Sequence, residues 1–510
     1  MFPVFRQSSD VCNFQKLYLA AFRRDRTPLY NGDIISSGGQ IGVSRMGWRG
    51  TISGIHRNII LQIALLTGFF WCYHWITAYM MTTLKIRLGA IGSQTVPLYA
   101  QARMNLDLWV IPALIILSLY ILLFRVFFEK RETPWYILIS LSIILAVSIN
   151  TTVAMIDGGL KALLEPYTRT GLEYYADVPK VKGVWEFLRD YVRILGTLSG
   201  HSQTHPPGGV LFLWLVSKLF GRGLVQASFS TIVFTSFTVI PVYLLTKELY
   251  DETIARRALG LFLITPSMVM FTATAMDGPF SLFPILSVYL FYKALSRGSI
   301  LFSVLTGIAL GFGMLMNYTT VVIGLFFIIT GVITFLTERE RFKTVLKVCL
   351  IAGGTFTLFY LLLYLWARYN LLSALWASYK KDERSMGTGY ESFGRYFNIS
   401  IANLFAFLIG VGIPSTMIWL HEISSELRQM IRFRSADIYV LSSFLTLILI
   451  SFSTLFTLEV ERIWIFMVPF IVIPVAKHLY EGHHRWEFYV VALLLCVQLL
   501  LSEIFLYTYW

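Results

Sequence analysis

Cysteine is nearly absent from this chain: there are four in 510 residues, Cys12, Cys72, Cys349 and Cys496, scattered and mostly inside apolar runs. That scatter offers neither a disulfide framework nor the paired spacing of a zinc site. Charge is scarce too, since Asp, Glu, Lys and Arg make up 14% of the residues while 56% are hydrophobic and the mean hydropathy is +0.66. So little polar surface could not cover a soluble globule of this length, and the chain belongs in a bilayer. Period-2 alternation is missing as well, which leaves helices as the spanning element. No apolar core stands near enough to the start for a cleavable signal peptide.

What charge there is has a pattern. The net charge of +13 would point to nucleic acid in a soluble protein. Here it follows the positive-inside rule, and no nucleic-acid partner is expected. Residues 1–57 carry Arg6, Lys16, Arg23, Arg24, Arg26, Arg45, Arg49 and Arg57 and read as a cytoplasmic tail. Two helices fill 58–133, a catalytic membrane domain fills 134–479 with outer loops at 157–222 and 367–400, and a last helix fills 480–510. About 13 spans of about 20 residues each are expected, an all-α polytopic membrane fold. Val210 to Phe220 is apolar but too short to cross. If it lies at the interface, the basic loops at Lys247, Arg256 and Arg257, and later at Arg339 and Arg341, all fall inside. The N-terminus is then inside and the C-terminus outside.

On that topology the polar residues gather at the outer face. The long insert opens at Asp157 and closes on Thr204-His205-Pro206-Pro207-Gly208, with Glu165, Glu173, Asp177, Glu186 and Asp190 between. A second acid, Asp277, stands at an outer helix end in Ala275-Met276-Asp277-Gly278-Pro279-Phe280, and a third group follows at Glu459-Val460-Glu461-Arg462.

In their order, these motifs resemble the GT-C superfamily of integral-membrane glycosyltransferases, in the branch of the protein O-mannosyltransferases and the lipid A aminoarabinose transferase. Ala154-Met155-Ile156-Asp157, Thr204 to Gly208 and Ala275 to Phe280 carry the resemblance, over roughly 135–470. It implies a GT-C-type bundle with interfacial helices in the first large outer loop. It also implies an enzyme, a hexosyl or pentosyl transferase moving sugar from a polyprenyl-phosphate donor to a glycan, lipid or protein acceptor outside the cell membrane, with inversion. The chain departs from the family in its first 130 residues. Asn317-Tyr318 stands where many relatives carry Lys or Arg, and Gly158-Gly159 follows the first Asp where mannosyltransferases have Glu.

The chemistry can be built from the residues themselves. A polyprenyl phosphate leaves as a stable anion, so the demanding step is activating an acceptor hydroxyl, for which a carboxylate at the membrane surface can serve as base. Asp157 is the candidate base, against a plain helix-end marker. Asp277 is the second catalytic candidate, binding the acceptor or a divalent ion on the phosphate, against a simple helix cap. His205 is read as a hydrogen-bonding partner of sugar or phosphate, against a structural turn. Its spacing from His201 also suits a metal, but Pro206 stops the helix that such a pair requires. Arg462 is the candidate phosphate ligand with Glu461 orienting it, against a headgroup anchor. Glu165 and Tyr318 complete the substrate-binding candidates. This reading names no certain cofactor and leaves a divalent metal open. A flippase or other transporter and an O-antigen-type polymerase or ligase remain alternatives. A transporter would show internal repeats, which are not found, and a ligase a large late outer loop.

Overall fold

The computed structural model describes residues 48–86, 97–386, 389–432, 436–456, 459–481 and 485–508. The chain divides into two compact units, 1–56 and 57–510. Of the first, residues 48–56 are described, as the start of the helix Trp48–Thr82. The proposed cytoplasmic tail up to residue 47, Cys12 included, lies outside the described residues.

The second unit is an all-α, multi-pass membrane bundle. Eight helices among the described residues are long and apolar enough to cross a membrane, or nine if one bent pair counts as a single span. The expected number of about 13 counted runs such as Ile300–Met316 and Ile438–Phe452, which are apolar helices below that length. Gly208–Phe220 is a helix of 13 residues, also below spanning length.

Local chemistry explains the breaks. One apolar stretch is broken into two helices, Glu252–Leu263 and Pro266–Thr274, bent by 53°. Pro266 has no N–H to give the preceding turn and holds Thr265 extended. Upstream, Asp251 starts the first half by accepting from the amides of Thr253 and Ile254. Phe393–Val411 and Ile413–Ile431 part at Gly412, whose φ of +113° suits glycine and where a Cβ would lie 2.2 Å from Leu495. The loop expected over 367–400 contains a helix, Leu371–Met386. It buries Ala374 and Ser378, one turn apart, and exposes Leu372, Trp376 and Tyr379. Its polar composition concealed that periodicity.

The first insert folds as short helices, Leu160–Thr168, Val184–Ile194, Gly200–Thr204 and Gly208–Phe220. Val184–Ile194 turns Phe187, Leu188 and Tyr191 inward, while Asp190 pairs outward with Arg189 at 3.2 Å and Arg193 at 2.8 Å. Each large side chain fully buried in this way stabilises by about 1.5–3 kcal/mol. These residues form a second apolar core with Met276, Phe280, Met316 and Tyr360. Close approach at Gly208 is obligatory, because a Cβ there would meet the Leu315 carbonyl at 2.3 Å. Away from the insert, Lys477 ties three helices together through Glu422 at 2.9 Å, Glu426 at 3.1 Å and Asp437 at 3.1 Å.

One extended strap, residues 99–105, runs beside the end of the helix Arg485–Phe505. Gln101–Ala102 pairs antiparallel with Leu506–Tyr507, with Gln101 opposite Tyr507. The pairing continues as Arg103 N–H to Phe505 O at 2.9 Å and Asn105 N–H to Ile504 O at 2.7 Å. The strap is thereby fixed to the end of the last helix, Arg485–Phe505.

Candidate active site

Asp157 closes the turn Met155–Asp157 that ends the helix Trp135–Ala154. The chain then reverses through Gly158 and Gly159, with φ of +132° and +68°. A Cβ at Gly159 would sit 2.6 Å from Trp109 Nε1. At Gly158, the position directly after Asp157, a Cβ would meet nothing within 4 Å, but the φ of +132° disfavours any side chain there. Asn105, from the strap, donates to Asp157 Oδ1 at 2.6 Å. Asp157 Oδ2 is buried and accepts no hydrogen bond among the described residues. A carboxylate with one oxygen held and the other free is suited to take a proton.

A buried acid missing from the sequence reading stands beside it. Glu503 is fully buried and its charge would face that of Asp157. Its Oε1 accepts from Thr508 at 3.4 Å and its Oε2 has no partner. A glutamate inside the apolar run Leu499 to Leu506 was the available signal, since charges within a span are rarely idle.

Asp277 and Arg462 form the second centre. Asp277 is buried at the start of the helix Asp277–Arg297, and its Oδ2 lies 3.2 Å from Arg462 Nε. Among the described residues no backbone amide donates to it, and its partner is the guanidinium rather than a helix end. Arg462 also binds Glu459 at 2.7 Å. Burial works against its charge, but Glu459, Asp277 and Glu173 more than offset this and raise its pKa. A guanidinium already held by two carboxylates has little charge left for a phosphate.

The expected pairing of Glu461 with Arg462 is not found. Glu461 turns the other way and its Oε1 accepts from the amides of Tyr99 at 2.6 Å and Ala100 at 3.3 Å. The physical reason is the strap, whose N–H groups at Tyr99 and Ala100 hold that carboxylate. Glu461 Oε2 has no partner, and burial pushes its pKa up to about 7.

His205 places Nδ1 3.1 Å from the His201 carbonyl and 3.1 Å from Thr204 Oγ1. Burial, with His201 adding to it, pushes its pKa down to about 3, so it is neutral near pH 7. Its ring packs against Tyr174 and Phe280, and Tyr191 donates to its carbonyl. His201 Nδ1 faces Glu173 at 3.3 Å. The two histidines thus turn to different partners, and among the described residues no three His, Cys, Asp or Glu are grouped to hold a metal ion. Glu165 is at the surface, 3.5 Å from Arg169. Tyr318 points inward, its buried hydroxyl close beside Tyr369 and Ser378.

The structure therefore gathers the candidates into two centres. No hydrogen bond or ion pair joins Asp157 to Asp277, His205 or Arg462 among the described residues. The strap connects them, reaching Glu461 through Tyr99 and Ala100 and Asp157 through Asn105.

A multi-pass helical bundle with buried acids and a buried arginine at its helix ends is the class these observations define. Residues 204–366 match the family model described as dolichyl-phosphate-mannose-protein mannosyltransferase. That range holds His205, Asp277 and Tyr318, and leaves Asp157, Glu461 and Arg462 outside. The match supports a membrane glycosyltransferase of the GT-C superfamily. No curated protein matches the sequence. Among solved structures, the Archaeoglobus fulgidus oligosaccharyltransferase with zinc and sulfate is similar at a TM-score of 0.48 and 14% identity, over 72% of this chain and 53% of that one. Archaeoglobus fulgidus AglB with an inhibitory peptide and a dolichol-phosphate gives 0.47 and 13%, over 73% and 57%. The chain spans little more than half the length of these structures, and so distant a likeness carries nothing of their chemistry to it.

Proposed function

We propose that this protein transfers a sugar from a polyprenyl-phosphate donor to a glycan, lipid or protein acceptor at the extracytoplasmic face of the cell membrane, with inversion. Asp157 is the base. The observation that carries this reading is its geometry: one oxygen held by Asn105 at 2.6 Å and the other unpartnered at the end of a membrane helix. The matched family is named for a dolichyl-phosphate sugar donor, which supports the donor class. As an acceptor hydroxyl attacks the sugar carbon, Asp157 Oδ2 takes its proton while the phosphate leaves with the bonding electrons. Inversion follows from that single displacement.

Asp277, Arg462 and Glu459 hold the neighbouring wall in place, and neutral His205 serves as a hydrogen-bonding group against the sugar. Glu165 and Tyr318 border the substrate path. The test is an assay of purified protein with a panel of radiolabelled polyprenyl-phosphate sugars and extracted cell glycans. Label should move to an acceptor with the native chain and not with Asp157→Asn. Absence of transfer from every donor would remove the proposal.

A further inference from the structure

Arg462, the cation expected to meet the phosphate, is buried and held by Asp277 and Glu459. The donor's anion would need another partner near Asp157. Arg103 is exposed, stands two residues before Asn105, and has no carboxylate at ion-pair distance among the described residues. Its backbone is fixed by the N–H bond to Phe505 O at 2.9 Å. Its guanidinium lies 5.3 Å from the centre of the Tyr507 ring. Arg169, from the far end of Leu160–Thr168, approaches the same ring at 5.9 Å and donates to the Tyr507 hydroxyl. Arg103 is also the cation whose field acts on Asp157.

We infer that Arg103 and Arg169, sharing the Tyr507 ring, form a binding site for a lipid-linked phosphate beside Asp157. Guanidinium groups present paired N–H donors that match two phosphate oxygens, and an aromatic surface keeps the fork oriented. Among the described residues Glu165, 3.5 Å from Arg169, is the carboxylate that competes for the second arginine, and it yields as the anion arrives. Arg103 meets no such competitor. An inverting displacement sets the leaving phosphate on the far side of the sugar carbon from the acceptor, so the two guanidiniums hold the leaving group across the sugar from Asp157. The donor assignment rests on the proposed transferase reading; the phosphate chemistry does not.

The same chemistry is offered by a polyprenyl phosphate and by an anionic bilayer headgroup, and binding without turnover separates them. A polyprenyl monophosphate and phosphatidylglycerol are each titrated onto the purified full chain in detergent, with binding read by native mass spectrometry. Arg103→Gln should weaken polyprenyl monophosphate binding roughly tenfold or more, the loss of a charge-assisted hydrogen bond. Arg169→Gln, on a separate element, should do the same, so the inference stays testable if one variant is poorly folded. A loss confined to phosphatidylglycerol keeps the phosphate site and assigns it to the bilayer. Unchanged binding of both lipids in both variants overturns it. If the lipid binds and no sugar is ever transferred, the site stands and the transferase reading fails.

Discussion

Asp277 Oδ2 lies 3.2 Å from Arg462 Nε, and both side chains are buried. With Glu459 at 2.7 Å on the same guanidinium, the arginine bridges two carboxylates of an acidic wall. Removing one partner from a buried pair costs about 3–5 kcal/mol, because the charge left behind has neither water nor a counter-ion. Arg462→Ala should therefore lower the thermal melting temperature of the detergent-purified protein markedly, and Asp277→Asn should lower it less, since Glu459 remains. A stable Arg462→Ala protein in which donor KM alone rises would return this arginine to the phosphate.

Glu461 predicts a pH dependence of stability. Its folded pKa is about 7 against an ordinary 4.5, so between those values the folded state binds the extra proton. The stability it contributes is fully present below about pH 4.5 and is lost as pH rises through about 7. Glu461→Gln keeps an acceptor for the Tyr99 and Ala100 amides and cannot ionise. Melting curves from pH 5 to 8.5 should fall less steeply with pH in the variant. Identical slopes would mean that Glu461 does not titrate in this range.

Gly159 controls where Asp157 points. At φ of +68°, with Trp109 Nε1 2.6 Å from any Cβ, Gly159→Ala must strain the backbone and push a rigid ring. The backbone part alone costs about 1–2 kcal/mol. A displacement of about 1 Å in a catalytic group can cost about 100-fold in rate. Transfer should drop at least tenfold by that reasoning, and adding Trp109→Ala should recover part of it. An active Gly159→Ala enzyme would show that the turn is not critical.

The helical membrane class, the order of the polar motifs and the non-spanning length of Gly208–Phe220 were legible because they depend on local composition and run length. What was not legible depends on pairing across the chain. Glu461 and Arg462 are neighbours in sequence, yet one turns to the strap and the other to Asp277. Which way each turns is decided by residues more than 180 positions away, and no local pattern encodes that. Asn105 and Glu503 reach Asp157 from opposite ends of the chain. Glu503 carried a readable signal as an acid inside an apolar run; Asn105, in a short polar loop, carried none.

Asp157 gives the decisive prediction, and Asn105 makes it specific. Asp157→Asn keeps the side chain's shape and removes its capacity to accept a proton. Turnover should fall by about 100-fold or more, in the usual range for a general base, with little change in donor binding. Folding should survive, because the residue is only half-buried at a helix end. Asn105→Ala removes the bond that aims Oδ1 and frees the carboxylate to rotate. Its loss should be smaller, about tenfold for one charge-assisted hydrogen bond, and should appear in kcat more than in donor KM. The double variant separates aiming from mere support of the fold. If Asn105 acts through Asp157, adding Asn105→Ala to Asp157→Asn costs almost nothing further, since there is no base left to aim. Losses that multiply would make Asn105 a structural residue of the strap, and a folded Asp157→Asn enzyme with near-native transfer would move the base elsewhere, with Asp277 the next carboxylate to test.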